Sequence, residues 1–92
     1  MFEWDEAKRQ TSLSKHGVDF TEAEAFDFGA ALIREDTRGD YGEARFVAEG
    51  PIRGRLHVLT FTWRDGAVRV ISLRKANERE RKRYGEAQKL HR

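Results

Sequence analysis

The chain has 92 residues, of which 18 are Lys or Arg and 16 are Asp or Glu, so a 37% charge content nets only +2. With no cysteine, one proline and no apolar run near the roughly 18 residues of a membrane helix, the composition argues against a disulfide framework, a thiolate metal site, disorder and a membrane span. The opening Met1-Phe2-Glu3-Trp4-Asp5 goes straight to charge and has no secretory character, so one soluble cytoplasmic domain over residues 1–92 is expected.

The first predicted element is a helix. Asp5 suits an N-cap, Glu6 the first turn, Lys15 and His16 the cation-favouring last turn, and Gly17 the left-handed closing position. Trp4 before it and Val18 and Phe20 after it should pin its ends to the core. A second, shorter helix is expected from Thr21-Glu22-Ala23-Glu24, read as a capping box with Phe20 and Ala25 as its hydrophobic staple and Gly29 at its end.

The period then changes to two. Strands are expected at 30–34, 45–50, 55–63 and 68–74, with a loop over 35–43 and a turn framed by Pro51 and Gly54. Asp65-Gly66 is the strongest local signal, a tight hairpin turn with two positive-φ positions. It sets an expected register in which Arg64 faces Ala67, Thr62 faces Arg69, Leu59 faces Ser72 and His57 faces Arg74. In that register Arg69 and Arg74 lie on opposite faces, and only a bulge or strand end near Leu73 would bring them to one site. A charged helix over 76–90, with a thin apolar stripe of Ala76, Tyr84, Ala87 and Leu90, closes the chain. The expected fold is α+β: two N-terminal helices, a four-stranded antiparallel β-sheet and a C-terminal helix.

Charge is segregated along this order. Residues 1–43 carry five basic and eleven acidic side chains, a balance of −6, and residues 44–92 carry thirteen basic and five acidic, a balance of +8. A polyanion partner for the second half is one reading and a solvated charged surface is the other. The histidines at 16, 57 and 91 share no helix face with a second ligand, so no metal or other cofactor is expected. No phosphate-binding glycine loop and no serine elbow occurs.

A cationic surface with proton-transfer groups is what RNA cleavage requires. A base takes the 2′-hydroxyl proton, cations stabilise the phosphorane, and an acid protonates the leaving 5′-oxygen. The candidates are Lys8, Lys15, His16, Arg45, His57, Arg69, Arg74, Glu80 and Tyr84. Each also suits a structural role: Lys15 and His16 complement a helix end, Arg45 and Arg69 face water from strands, and Tyr84 packs. A non-catalytic RNA- or ribosome-binding module, or a pure interaction protein docking through its last helix, stays open on these grounds.

The residues Phe2-Glu3-Trp4-Asp5, Lys8, Lys15-His16-Gly17-Val18-Asp19-Phe20 and Glu22-Ala23 resemble the opening signature of the BrnT family of bacterial toxins. Tyr41-Gly42-Glu43 with Arg45 resembles its middle motif. Gly50, Gly54-Arg55, Arg69-Val70-Ile71-Ser72, Arg74-Lys75-Ala76, Glu80-Arg81 and Tyr84 resemble its end. Ser12 stands where the family usually has Asn, and Leu73 where it usually has Ala. The resemblance implies a RelE-like fold and a metal-independent endoribonuclease that halts translation. It also implies a cognate antitoxin, typically of the ribbon-helix-helix type, in a complex that binds operator DNA. On that basis the expected catalytic set is Lys15, His16, Arg69, Arg74, Glu80 and Tyr84, with Lys8, Arg45, His57 and Lys75 contacting RNA. Arg69 and Arg74 are expected on the phosphate, and His16 or Glu80 in proton transfer.

Overall fold

The structure, a computed structural model, describes residues 1–90. It comprises β1 (Phe2–Glu3), α1 (Glu6–His16), two 3-10 turns (Phe20–Ala25 and Phe28–Ala30), β2 (Leu32–Asp36), β3 (Arg45–Ile52), β4 (Arg55–Arg64), β5 (Ala67–Lys75) and α2 (Glu78–Leu90). The strands form one sheet in the order β1-β5-β4-β3-β2.

Local chemistry explains α1. The Asp5 carboxylate accepts from the Lys8 amide, Lys15 and His16 fill the last turn, and Gly17 closes it at φ 73°. The expected second α-helix is a 3-10 turn instead. Asp19, not Thr21, is its N-cap: the Asp19 carboxylate accepts from the Thr21 amide, two residues earlier than the capping box would start. Arg9 then reaches from α1 to Asp19 at 2.8 Å and holds the turn against the first helix.

The sheet has five strands and is mixed, which corrects the expected four antiparallel strands. Phe2 and Glu3 pair in parallel with Val68 and Arg69. Two residues are too short a run to show a period, so no pattern in the sequence marks this strand. The β3–β4 turn sits at Arg53 and Gly54, both at positive φ, which leaves Pro51 within β3, opposite Leu56.

The β4–β5 hairpin turns at Asp65 and Gly66, at φ 52° and 80°, as the sequence predicts. Arg64 faces Ala67 and Thr62 faces Arg69, also as expected. Beyond Val70 the register shifts: Thr60 faces Ser72, Leu59 faces Leu73, Val58 faces Arg74 and His57 faces Lys75. Ile71 is the extra residue of a β-bulge, two positions before the place where the alternation allowed for one. Leu73 thereby joins Leu59, Phe61, Val68 and Val70 in the core, while Ser72 and Arg74 turn to the other face with Arg69.

The main core lies between that first face and α1 with the 3-10 turns, where Phe20, Ala23 and Phe26 pack on the strands. Trp4 meets Phe20 edge-on at 6.2 Å, as an end-pinning residue should. A smaller cluster of Val47, Leu56, Val58 and Ala76 on the second face is covered by Tyr84 of α2. Gly50 in β3 is fixed by close approach rather than by φ: a Cβ there would lie 2.8 Å from the Phe26 ring and 3.0 Å from Ala31. Gly50→Ala should therefore lower stability by about 1–3 kcal/mol, the usual range for overpacking, in urea melts. An unchanged melt would show that Phe26 can step aside.

Candidate active site

The bulge brings Ser72 and Arg74 to the second sheet face, which is rich in arginine and also carries Glu3, Asp36 and Glu49. Arg64, Arg69 and Arg74 share it with Arg45 of β3 and Arg34 of β2, and Thr60 and Ser72 lie between them. The short motif around Tyr41 serves this surface. The Arg45 guanidinium stacks on the Tyr41 ring at 3.9 Å, Gly42 turns at φ 72°, and Glu43 holds Arg64 at 3.1 Å. The Nε of Arg45 is buried with no partner. Arg69 lies 3.8 Å from Glu3 of β1, a loose pair that leaves most of its donors uncommitted.

Arg74 and Glu80 are the best-built pair. Two parallel hydrogen bonds of 2.8 Å join the guanidinium to the carboxylate. Glu80 also accepts from the Asn77 amide at 2.9 Å, while the Asn77 side chain accepts from the Glu80 amide at 2.8 Å. This is a reciprocal capping box that opens α2 at Glu78, rather than at Ala76 as expected. The helix start and the Arg74 guanidinium are thus set by one carboxylate. The Arg74 bond holds the Glu80 carboxyl at about 2, far below its ordinary 4.5. At neutral pH it is a fixed anion, unsuited to donate a proton.

His16 ends α1 beside the far end of β5. Partial burial pushes its imidazole below the ordinary 6.5, and the positive charges of Lys15 and Arg74 push the same way. A neutral imidazole with Lys15 and Arg74 nearby is a poised base.

The structure thus gathers His16, Arg74 and Glu80, with Arg69 on the same sheet face and Lys15 and Lys8 along α1. Tyr84 stands apart. From Arg74 on β5, α2 crosses to β3, where Arg83 bonds the buried Glu49 at 2.8 Å, and the Tyr84 hydroxyl then donates to the Ala30 carbonyl. Burial raises its pKa, and its contacts are those of an anchor. His57 and Lys75 lie on the opposite face, on a separate polar groove with Asp19 and Glu22. The His57 ring is buried, with Nδ1 2.7 Å from the Arg55 carbonyl. Sequence reasoning missed Asn77, although Asn77-x-x-Glu80 carries the capping signature. It also missed Glu3 and Ser72, whose places depend on the parallel pairing and the bulge. Among the described residues, no group of three His, Asp or Glu side chains is gathered to hold a metal ion. No helix among them is long and apolar enough to cross a membrane.

These environments predict two steps of acid destabilisation. Burial lowers both His57 and His16 in the fold, so the unfolded chain takes up protons near 6.5 while the folded chain does not. Stability is full above that pH and falls as pH drops below it. Glu80 and Asp36 are held at about 2, from 4.5 and 3.8, by Arg74 and Arg38. A second loss should begin near pH 4.5 and finish near 2. Thermal midpoints measured across pH should show both steps, and His57→Gln should shrink the first.

The family model described as "Ribonuclease toxin, BrnT, of type II toxin-antitoxin system" matches residues 4–80 of the chain. No curated protein matches it.

Proposed function

The chain belongs to the BrnT family of ribonuclease toxins of type II toxin–antitoxin systems, and from that premise we propose that it is a metal-independent endoribonuclease whose site lies along β5, between the end of α1 and the start of α2. The observation that carries this reading is the Ile71 bulge, which puts Arg69 and Arg74 on one sheet face with His16 beside Arg74. His16 takes the proton from the 2′-hydroxyl as that oxygen attacks the adjacent phosphate. Arg74 and Arg69 hold the phosphate oxygens as negative charge builds, the task a metal performs in other nucleases. Glu80 positions Arg74. Lys15 lies close to His16 and adds positive charge beside the reacting phosphate. The P–O5′ bond breaks as the 2′-oxygen bond to phosphorus forms, the departing 5′-oxygen takes a proton from water, and a 2′,3′-cyclic phosphate is left.

The family places an antitoxin beside this chain as its partner. In our reading an acidic segment of that antitoxin covers the arginine face and so blocks RNA, and free toxin arrests translation in the cytoplasm. A ribbon-helix-helix antitoxin whose complex binds operator DNA fits the same reading. Purified protein with RNA in excess chelator tests it. Fragments ending in 2′,3′-cyclic phosphate are expected. Cleavage only on addition of a divalent metal overturns the mechanism. Salt-sensitive binding with no cleavage at any concentration returns the chain to an RNA-binding module.

A further inference from the structure

We propose that the groove between α1 and the edge of β5 is a nucleobase subsite, which reads one base of the RNA strand next to the cleaved phosphate. The inference rests on the ribonuclease reading and adds a specificity determinant to it. The groove is shallow and open to solvent, with a volume of about 310 Å³. Ala7 and Ile71 give it apolar lining, and Ser12, Ser72, Lys8, Lys15 and His16 line it as well. It exists because β1 pairs with β5 only at Val68 and Arg69, so no strand covers the β5 edge from Val70 onward among the described residues, and because the bulge carries Ile71 out of the regular pleat.

Ser12 is the informative residue. It is 91% buried, lines the groove, and its Oγ has no hydrogen-bond partner. Its neighbour Thr11 returns its own hydroxyl to the Ala7 carbonyl at 3.0 Å, the usual solution on a helix. A buried hydroxyl left without a partner is unfavourable; the Ser12 Oγ lies just beneath the groove surface, and a rotation about χ1 that turns it outward would let a ligand edge bearing a donor or acceptor complete it. An apolar lining with serines and lysines beside it suits a base with its flanking phosphates. Unstacked bases of single-stranded RNA are recognised this way, by contact with their faces and hydrogen bonds to their edges. His16 borders both this groove and the Arg74 cluster, so the base read here belongs to a nucleotide adjoining the cleaved bond.

The test maps cleavage ends on a random RNA pool for the wild type, Ser12→Ala and Ala7→Leu. The wild type should prefer one base at one position by about tenfold, the worth of a single hydrogen bond. Ser12→Ala should level that preference while total cleavage stays within a few-fold. Ala7→Leu, which fills the groove from an exposed position, should lower kcat/KM about tenfold with the thermal midpoint unchanged. A missing preference in the wild type, or an unaltered one in both variants, overturns the subsite. If the protein cleaves no RNA, the ribonuclease reading fails separately. The groove is then judged by NMR with short 2′-O-methylated oligo(A), oligo(C), oligo(G) and oligo(U). Amide shifts at Ala7, Ser12 and Ile71 that vanish in Ala7→Leu sustain it, and no shift with any of the four overturns it.

Discussion

Arg74→Ala is expected to lower kcat for RNA cleavage by about 10²–10³-fold, the usual loss when one donor to a developing oxyanion is removed. The guanidinium is held in place by its two bonds to Glu80, so it meets the phosphorane without reorganising. Arg74→Lys should recover little. An ammonium is a point charge and cannot keep a forked bond to Glu80 while offering two donors to a phosphate. The single substitution also strands Glu80, whose side chain is only 13% exposed, so some loss of stability is expected. Arg74→Ala with Glu80→Gln separates the two effects. The amide oxygen can still accept from the Asn77 amide, the stranded charge is gone, and the melting temperature should return without activity. Single-turnover cleavage beside a thermal melt reads both. Full activity in either variant would remove Arg74 from the site.

His16→Ala should reduce cleavage by about 10²–10⁴-fold, the range for loss of a positioned proton-transfer group. The pH profile gives the sharper test. Burial, with Lys15 and Arg74 nearby, lowers the His16 pKa, and the neutral ring is the active form of a base. Wild-type kcat/KM should therefore rise with pH through a point below 6.5 and then level. In His16→Ala that limb should be absent, whereas a lost packing role would scale the whole profile without changing its shape. Arg74→Ala removes one of the charges that depress His16 and should move the limb to higher pH. A limb unmoved in both variants would assign the base to another group.

Much of the fold is legible in short stretches of chain. The caps of α1, the Asp65-Gly66 turn and the strands from Arg45 onward rest on interactions between residues a few positions apart, and these the structure bears out, whereas the first expected strand, 30–34, is found two residues later at Leu32–Asp36. The second helix shows the limit of such signals. Thr21-x-x-Glu24 has the form of a capping box, but Asp19 is a competing cap, two residues earlier and tied to α1 through Arg9. The candidate site is less legible, because an alternation read outward from a turn carries an inserted residue forward as an error of face. His57 and Arg74, expected opposite one another, come to lie on different faces for this reason. Tyr84 and Glu80 are four residues apart on one helix, yet Glu80 meets β5 and Tyr84 meets the carbonyl of Ala30, because α2 crosses the sheet.

By itself the sequence determined an acidic front carrying α1, a basic back carrying the long strands and α2, and the residue types that RNA cleavage needs. Those are properties of composition and of contacts along the chain. Tertiary structure alone decided that Arg69 and Arg74 share a face, that Phe2 and Glu3 complete the sheet, and that His16 comes within reach of the Arg74 charge. The first depends on where the core accepts Leu73 and turns Ile71 aside. That choice is made by packing among residues distant in sequence, and no local pattern encodes it.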